Sequence, residues 1–243
     1  MGYFLLPYNQ FEPNSNSDIL YTMNPDEINK NYWSSIAPEK IMSGLFYPGE
    51  ELTLLLTPKS TILDVGCGNG KISTYLSNKG YTVTGIDINQ TAIEENSQTY
   101  PNITFKQVDI TQTLPFEDNS FTAIVIPYVF VSIIDKEKQR FAAEELIRVL
   151  KPHGYLWICE ATLSTDYADR YVVGKNETGL DQVALSYSKE SEPKVQRVIR
   201  HYTEDEISKL FIKLIKISSK QANVVSPSSG MTVETIVSVY QKG

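Results

Sequence analysis

Five short apolar runs between residues 61 and 160 restrict the folds open to this chain more than any other feature. They read TILDV, YTVTGID, ITFKQV, FTAIVI and YLWICE, each bounded by turn-forming residues. Runs of this length and apolar character suit strands covered on both faces. Three intervals between them carry helical patterns. These are KISTYLSNK, closed by Gly80; NQTAIEENSQTY, with Asn89 as N-cap; and KEKQRFAAEELIRVL, where Phe141, Leu146, Val149 and Leu150 share a face. The fourth interval holds the polar turn LPFEDNS. Strands alternating with helices predict a mostly parallel sheet with right-handed crossovers. The tail adds a helix in TEDEISKLF, opened by a Thr203/Glu206 capping box, then two runs, IKLIKIS and TVETIVSVY, joined by SPSSG. They predict an antiparallel hairpin at one edge, for seven strands in all.

Two segments stand outside this pattern. Residues 1–57 read as one or two short helices broken at Pro38 and Pro48, and residues 161–202 as polar and irregular. The predicted organisation is a helical lid over 1–57 and a main domain over 58–243, with 161–202 inserted on the substrate side. The 243 residues carry a net charge of −7, which disfavours a broad nucleic-acid footprint. No apolar run is long enough to span a membrane. MGYFLLPYNQFEP has no basic stretch of the kind that opens a signal peptide, and Leu6 stands where a myristoylation motif wants Ser or Thr. The two cysteines, Cys67 and Cys159, have no metal-ligand spacing. A cytoplasmic protein with neither a disulfide framework nor a metal site is the expectation.

LDVGCGNGKIS, directly behind the first run, sets Gly66, Gly68 and Gly70 at alternate positions. A strand that feeds a glycine turn and then a helix presents unsatisfied backbone N–H groups, and glycine lets a ligand approach them. A phosphate-binding P-loop needs Gly-Lys-Ser/Thr, but Ile72 follows Gly70-Lys71. A dinucleotide fingerprint needs G-x-G-x-x-G, but Lys71 occupies the third glycine position. Asp64, two residues ahead, would repel a pyrophosphate and attract an ammonium.

The resulting D-x-G-x-G-x-G resembles motif I of the class I S-adenosylmethionine (SAM)-dependent methyltransferases, most nearly their metabolite-modifying branch. LPFEDNSFTAIVI and RVLKPHGYLWI resemble that family's fourth- and fifth-strand segments, and the likeness runs from about Thr61 to Ile158. The resemblance implies a Rossmann-like α/β fold and SAM as cofactor, leaving S-adenosylhomocysteine as product. It implies that Gly66, Cys67 (through its backbone), Gly68 and Gly70 pack on the methionine part, with Asp64 helping to hold the amino acid end, often through water. Asp87, 23 residues after Asp64, would accept from the ribose hydroxyls, although such a carboxylate also serves NAD sites. Asp109 would accept from the adenine amino group, between Ile88 and Ile110.

The acceptor should enter beside Ile126-Pro127-Tyr128, at the end of the fourth run. Family members that methylate adenine or glutamine resemble one another in carrying Asn/Asp-Pro-Pro-Tyr/Phe there. That amide or carboxylate is missing here, which disfavours base N-methylation. Val131-Ser132 replace the His-His of some metabolite-modifying relatives. His201, Tyr128 and Glu160 remain as candidate catalytic groups, and His201 equally suits local packing at a helix entry. The first 50 residues hold nine of the 26 aromatics, among them Tyr21, Tyr32 and Trp33. With Tyr128 these are candidate acceptor contacts, suited to a planar or cationic molecule, and equally to a lid packing on a sheet edge. The expectation is methylation of O or N on a small metabolite, with no membrane partner and an oligomeric state left open. A peptide or protein methyltransferase, a non-catalytic SAM-binding subunit and an NAD-dependent oxidoreductase are the rivals.

Overall fold

A computed structural model describes residues 24–41, 47–162, 171–174, 183–186, 198–225 and 232–243. Tyr21 lies outside them. Five strands are parallel: β1 (Thr61–Val65), β2 (Thr82–Asp87), β3 (Thr104–Gln107), β4 (Phe121–Pro127) and β5 (Leu150–Ala161). Three further short strands, β6 (Tyr171–Gly174), β7 (Val183–Ser186) and β8 (Val198–Arg200), make a separate antiparallel sheet. β9 (Ile215–Val225) and β10 (Thr232–Gln241) complete the main sheet, whose order is β3-β2-β1-β4-β5-β10-β9. Only β10 runs against its neighbours. Among the described residues, six α-helices accompany the strands: α1 (Pro25–Ser35), α2 (Glu50–Thr53), α3 (Lys71–Asn78), α4 (Gln90–Thr99), α5 (Lys136–Val149) and α6 (Glu204–Leu210).

The central strands bury both faces, as their unbroken apolar character requires. Leu63, Ile124, Ile126, Leu156 and Ile158 pack into one core with Ala142, Leu146 and Val149 of α5 and Ile207 of α6. Ile62, Ala123, Val125 and Trp157, one position away on each strand, pack into a second core with Leu52 of α2 and Ile72 and Leu76 of α3. The two-residue period of a strand deals these residues to opposite faces. Side-chain caps start the helices where the sequence reading set them. Asn89 Oδ1 accepts from the Ala92 N–H, and Thr203 and Glu206 form a reciprocal capping box.

Four local readings change. Phe141 is exposed, because the inward stripe of α5 centres on Ala142, Leu146 and Val149 and leaves it at the edge. β5 begins at Leu150, so KPHG lies inside a strand with a register shift opposite Phe121–Ala123. β9 begins three residues later than IKLIKIS and runs seven further, a polar extension that an edge strand can carry into solvent. Part of the 161–202 insertion is the small antiparallel sheet, whose three- and four-residue strands are too short to show a period.

Candidate active site

The strand order reverses between β1 and β4, and ligands of open α/β sheets bind beyond the strand ends at such a point. A cavity of about 400 Å³ opens there. Its floor comes from residues at or just past the strand ends: Gly66 after β1, Asp87 and Ile88 at β2, Asp109 and Ile110 after β3, and Pro127 and Tyr128 at β4.

The glycine turn is stitched from behind. The N–H groups of Gly66 and Cys67 both donate to the Ile86 carbonyl, at 2.8 and 3.0 Å. The Gly68 N–H donates to Asp87 Oδ2 at 2.9 Å, and the Gly68 carbonyl accepts from Asn96 Nδ2 at 2.7 Å. Gly66 needs its missing side chain twice over. Its φ is +69°, and a Cβ there would meet Val129 Cγ2 at 2.4 Å. Of the turn residues, Gly66 lines the cavity; Cys67, Gly68 and Gly70 stand behind it, Cys67 buried and Gly70 in the left-handed conformation as N-cap of α3.

Asp64 also lies behind the turn, fully buried, with Oδ2 accepting from the Ser73 hydroxyl at 2.6 Å. Oδ1 finds no partner among the described residues. Burial, with a smaller push from the Asp87 charge, raises its pKa to about 7. Asp64 therefore touches the cavity at most indirectly. Asp87 lines the cavity while its second oxygen accepts from the Asn89 N–H at 2.9 Å. Burial raises its pKa, opposed by these N–H bonds. Each carboxylate oxygen still has a lone pair for another donor. Asp109 is tied at Oδ1 to the Thr111 N–H and hydroxyl, and at Oδ2 to Lys30 Nζ at 3.0 Å. Burial works to raise its pKa, but Thr111 and Lys30 outweigh it and hold the carboxyl below its usual range.

A roof comes from α1 and from the turn over Phe130–Ser132. Asn29 Nδ2 donates to the Ser132 carbonyl at 2.7 Å, and Trp33 Nε1 to the Ser132 hydroxyl at 2.9 Å. Asp26 accepts from the N–H groups of Ile134 and Asp135. Asn89 Nδ2 donates to the carbonyls of Trp33 and Ile36, which fastens the end of α1 to the start of α4. Trp33, Ile41, Val131, Ile133, Ala161 and Val233 supply an apolar wall.

The candidate catalytic groups fare differently from the cofactor positions. Glu160 does not line the cavity; it is fully buried and accepts from the N–H groups of Val129 (3.2 Å), Phe130 (2.8 Å) and Val131 (3.1 Å). Burial pushes its pKa to about 8 in spite of those bonds. Its place is to hold the turn, not to meet a substrate. His201 is buried against the Thr162 carbonyl at 2.9 Å, away from the cavity lining, and burial lowers its pKa. Tyr128 lines the cavity, with φ +56°, but its hydroxyl is buried beside Cys159 and Thr235 without a well-formed hydrogen bond. Burial drives that phenol far above its usual range, which removes it as a proton carrier. Trp33 reaches the cavity, whereas Tyr32 stands outside its lining and meets Trp33 edge to face at 5.0 Å.

Asn29 and Lys30 carry no motif, Asn89 is visible in the sequence only as a cap, and Ser132 only as a replacement for a histidine of some relatives. Among the described residues, no group of three His, Cys, Asp or Glu could hold a metal ion, and no helix is long and apolar enough to cross a membrane.

Glycine turn, paired acidic strand ends and sheet order together define a Rossmann-like methyltransferase fold with a cavity at its switch point. Known proteins agree. Residues 62–154 match the family described as "Methyltransferase domain". A SAM-dependent methyltransferase from Methanosarcina mazei superposes with a TM-score of 0.74 at 27% identity, over 81% of this chain and 99% of that one. The 2-methyl-6-phytyl-1,4-hydroquinone methyltransferase of Synechocystis sp. is 37% identical over 108 residues, 43% of this chain and 33% of the relative. The Burkholderia thailandensis 1,6-didemethyltoxoflavin-N1-methyltransferase, solved with 1,6-didemethyltoxoflavin and S-adenosylhomocysteine, shares the fold at TM-score 0.60 and 16% identity, over 93% of this chain and 86% of that one. The matches span less than half the length of the curated relatives. The matched segment is a methyltransferase domain, and its likeness to SAM-dependent methyltransferases supports SAM as the cofactor.

Proposed function

We propose that the chain transfers a methyl group from SAM to an O or N atom of a small, largely apolar metabolite. The observation that carries this reading is the continuity of the cavity: acidic strand ends at one side, an apolar wall roofed by α1 at the other. The residues suit the cofactor. Gly66 admits close approach, Asp87 keeps acceptor capacity for the ribose, and Asp109 with Ile88 and Ile110 suits the adenine. Asp64, through its unpartnered Oδ1, is assigned an indirect contact with the methionine ammonium. SAM supplies an electrophilic methyl on a sulfonium. The protein's part is to align the acceptor and exclude water, which by itself supplies much of the acceleration in a displacement of this kind.

Trp33, Val131, Ile133, Ala161 and Val233 would hold the acceptor against the cofactor side. An apolar wall beside an indole face suits a ring-shaped acceptor. The Synechocystis relative is named for a hydroquinone substrate, which supports the same class. Residues 1–57 would then act as the lid over this end, a reading that the place of α1 beside the cavity supports. A roof of this kind favours a small molecule over a peptide chain.

The test has two stages. Calorimetry with S-adenosylhomocysteine and with NAD is expected to show binding of the first alone. Incubation with SAM and a panel of hydroquinones, phenols and heteroaromatic amines is then expected to yield a product heavier by one methylene. Binding of NAD instead would overturn the cofactor assignment. Cofactor binding with methylation of peptides but of no small acceptor would overturn the substrate class.

A further inference from the structure

Lys30 sits outside every motif, yet it makes the one bond on the cofactor floor that a ligand must contend with. Its Nζ lies 3.0 Å from Asp109 Oδ2, and both residues line the cavity. The other oxygen, Oδ1, is already engaged by the N–H and hydroxyl of Thr111. Oδ1 has both lone pairs engaged, so an incoming donor must approach Oδ2, the oxygen it would share with the lysine. An adenine amino group and a lysine ammonium ask the same thing of a carboxylate, a hydrogen bond from nitrogen.

We propose that Lys30 is a built-in competitor of the adenine, a cofactor-site residue that sets SAM affinity by contesting the approach to Asp109 Oδ2. The inference rests on the assignment of Asp109 to the adenine. Displacement needs only a side-chain movement. α1 itself is held by Asn89, by the Asn29 and Trp33 bonds to Ser132, and by Asp26 on the N–H groups of Ile134 and Asp135. None of these involves Lys30. Glu27 and Asp26 stand three and four residues back on the same helix, at the spacing where side chains meet, and can receive the released ammonium. The Lys30 side chain is 57% exposed, so the competing bond is weak and salt-sensitive. A competitor of that strength tunes affinity without abolishing it.

Calorimetric titration with S-adenosylhomocysteine tests this in wild type, Lys30→Met, Asp109→Ala and the double variant. Lys30→Met is expected to tighten binding about two- to fivefold at low salt. The gain should shrink when ionic strength is raised from about 20 to 500 mM, where screening weakens the ion pair. In the Asp109→Ala background Lys30→Met should change nothing. Unchanged or weaker binding in Lys30→Met, with binding lost or weakened in Asp109→Ala, would overturn the competitor role and leave the adenine assignment standing. Unchanged binding in Asp109→Ala would overturn the adenine assignment, and the competitor role with it. Lys30 is exposed, so its replacement is not expected to disturb folding, and thermal melts of each variant check this.

Discussion

The two ends of the cavity are built by different means. The end assigned to the cofactor uses residues at or just past the ends of β1, β2, β3 and β4, so the position of each is set by the strand that carries it. The acceptor end is assembled from α1, the Phe130–Ser132 turn, the end of β5 and the start of β10, brought together from residues 29 to 233. Its geometry depends on side chains that hold backbone: Glu160 on three consecutive N–H groups, Asn29 on a carbonyl, Asn89 on two more. The difference separates a site written along the chain from one that exists only after the chain has packed. Substitutions should therefore act on cofactor affinity at one end and on stability at the other.

Asp87→Ala should produce the largest effect. It removes the acceptor of two N–H groups and of the ribose position. Affinity for S-adenosylhomocysteine should fall about 100-fold or more, corresponding to roughly 3 kcal/mol. An affinity within a fewfold of wild type would break the assignment of this end. Glu160→Ala comes next and belongs to the other end. It leaves three buried N–H groups without an acceptor and should destabilise the fold by about 2–3 kcal/mol, lowering the melting temperature by roughly 5–10 °C. Were S-adenosylhomocysteine affinity to fall as steeply as in Asp87→Ala, the separation of the two ends would not hold.

The buried carboxylates add a dependence on pH. Burial puts Asp64 at about 7 and Glu160 at about 8, both above their unfolded values near 4. In the folded chain each keeps its proton where the unfolded chain has released it. The stability this contributes is complete below pH about 4 and is lost as pH rises through 7 and 8. Denaturant unfolding should give a higher midpoint at pH 5 than at pH 8, and Asp64→Asn should flatten that slope. A wild type more stable at pH 8 would contradict both shifts. The smallest effect is expected for Trp33→Phe. This variant keeps a ring at the wall and loses the bond to the Ser132 hydroxyl. It should cost about 1 kcal/mol by denaturation and leave S-adenosylhomocysteine affinity within about twofold.

The strand-end side of the cavity was largely legible because its residues are tied to local order. Gly66, Asp87, Ile88, Asp109, Ile110 and Pro127 all line the cavity. Each follows a strand that a short apolar run makes visible. The turn was legible as a turn but not in its layers: Cys67, Gly68 and Gly70 stand behind Gly66, and Asp64 faces Ser73. The acceptor end was read from residue types alone, which cannot tell a wall from a support. Trp33 reaches the cavity and its neighbour Tyr32 does not. Glu160 and His201 were plausible proton carriers by type, and packing gave both to backbone groups.

By itself the sequence determined the strand order's local half, the glycine turn and the acidic strand ends, because a period of two, a left-handed glycine and a strand terminus are properties of a few adjacent residues. Tertiary structure decided which polar side chains face the cavity and which serve the fold. Lys30 meets Asp109 across 79 positions, and Glu160 meets the Val129–Val131 backbone across about 30. No local pattern encodes such meetings. They arise because every buried N–H and carboxylate must find a partner once water is excluded.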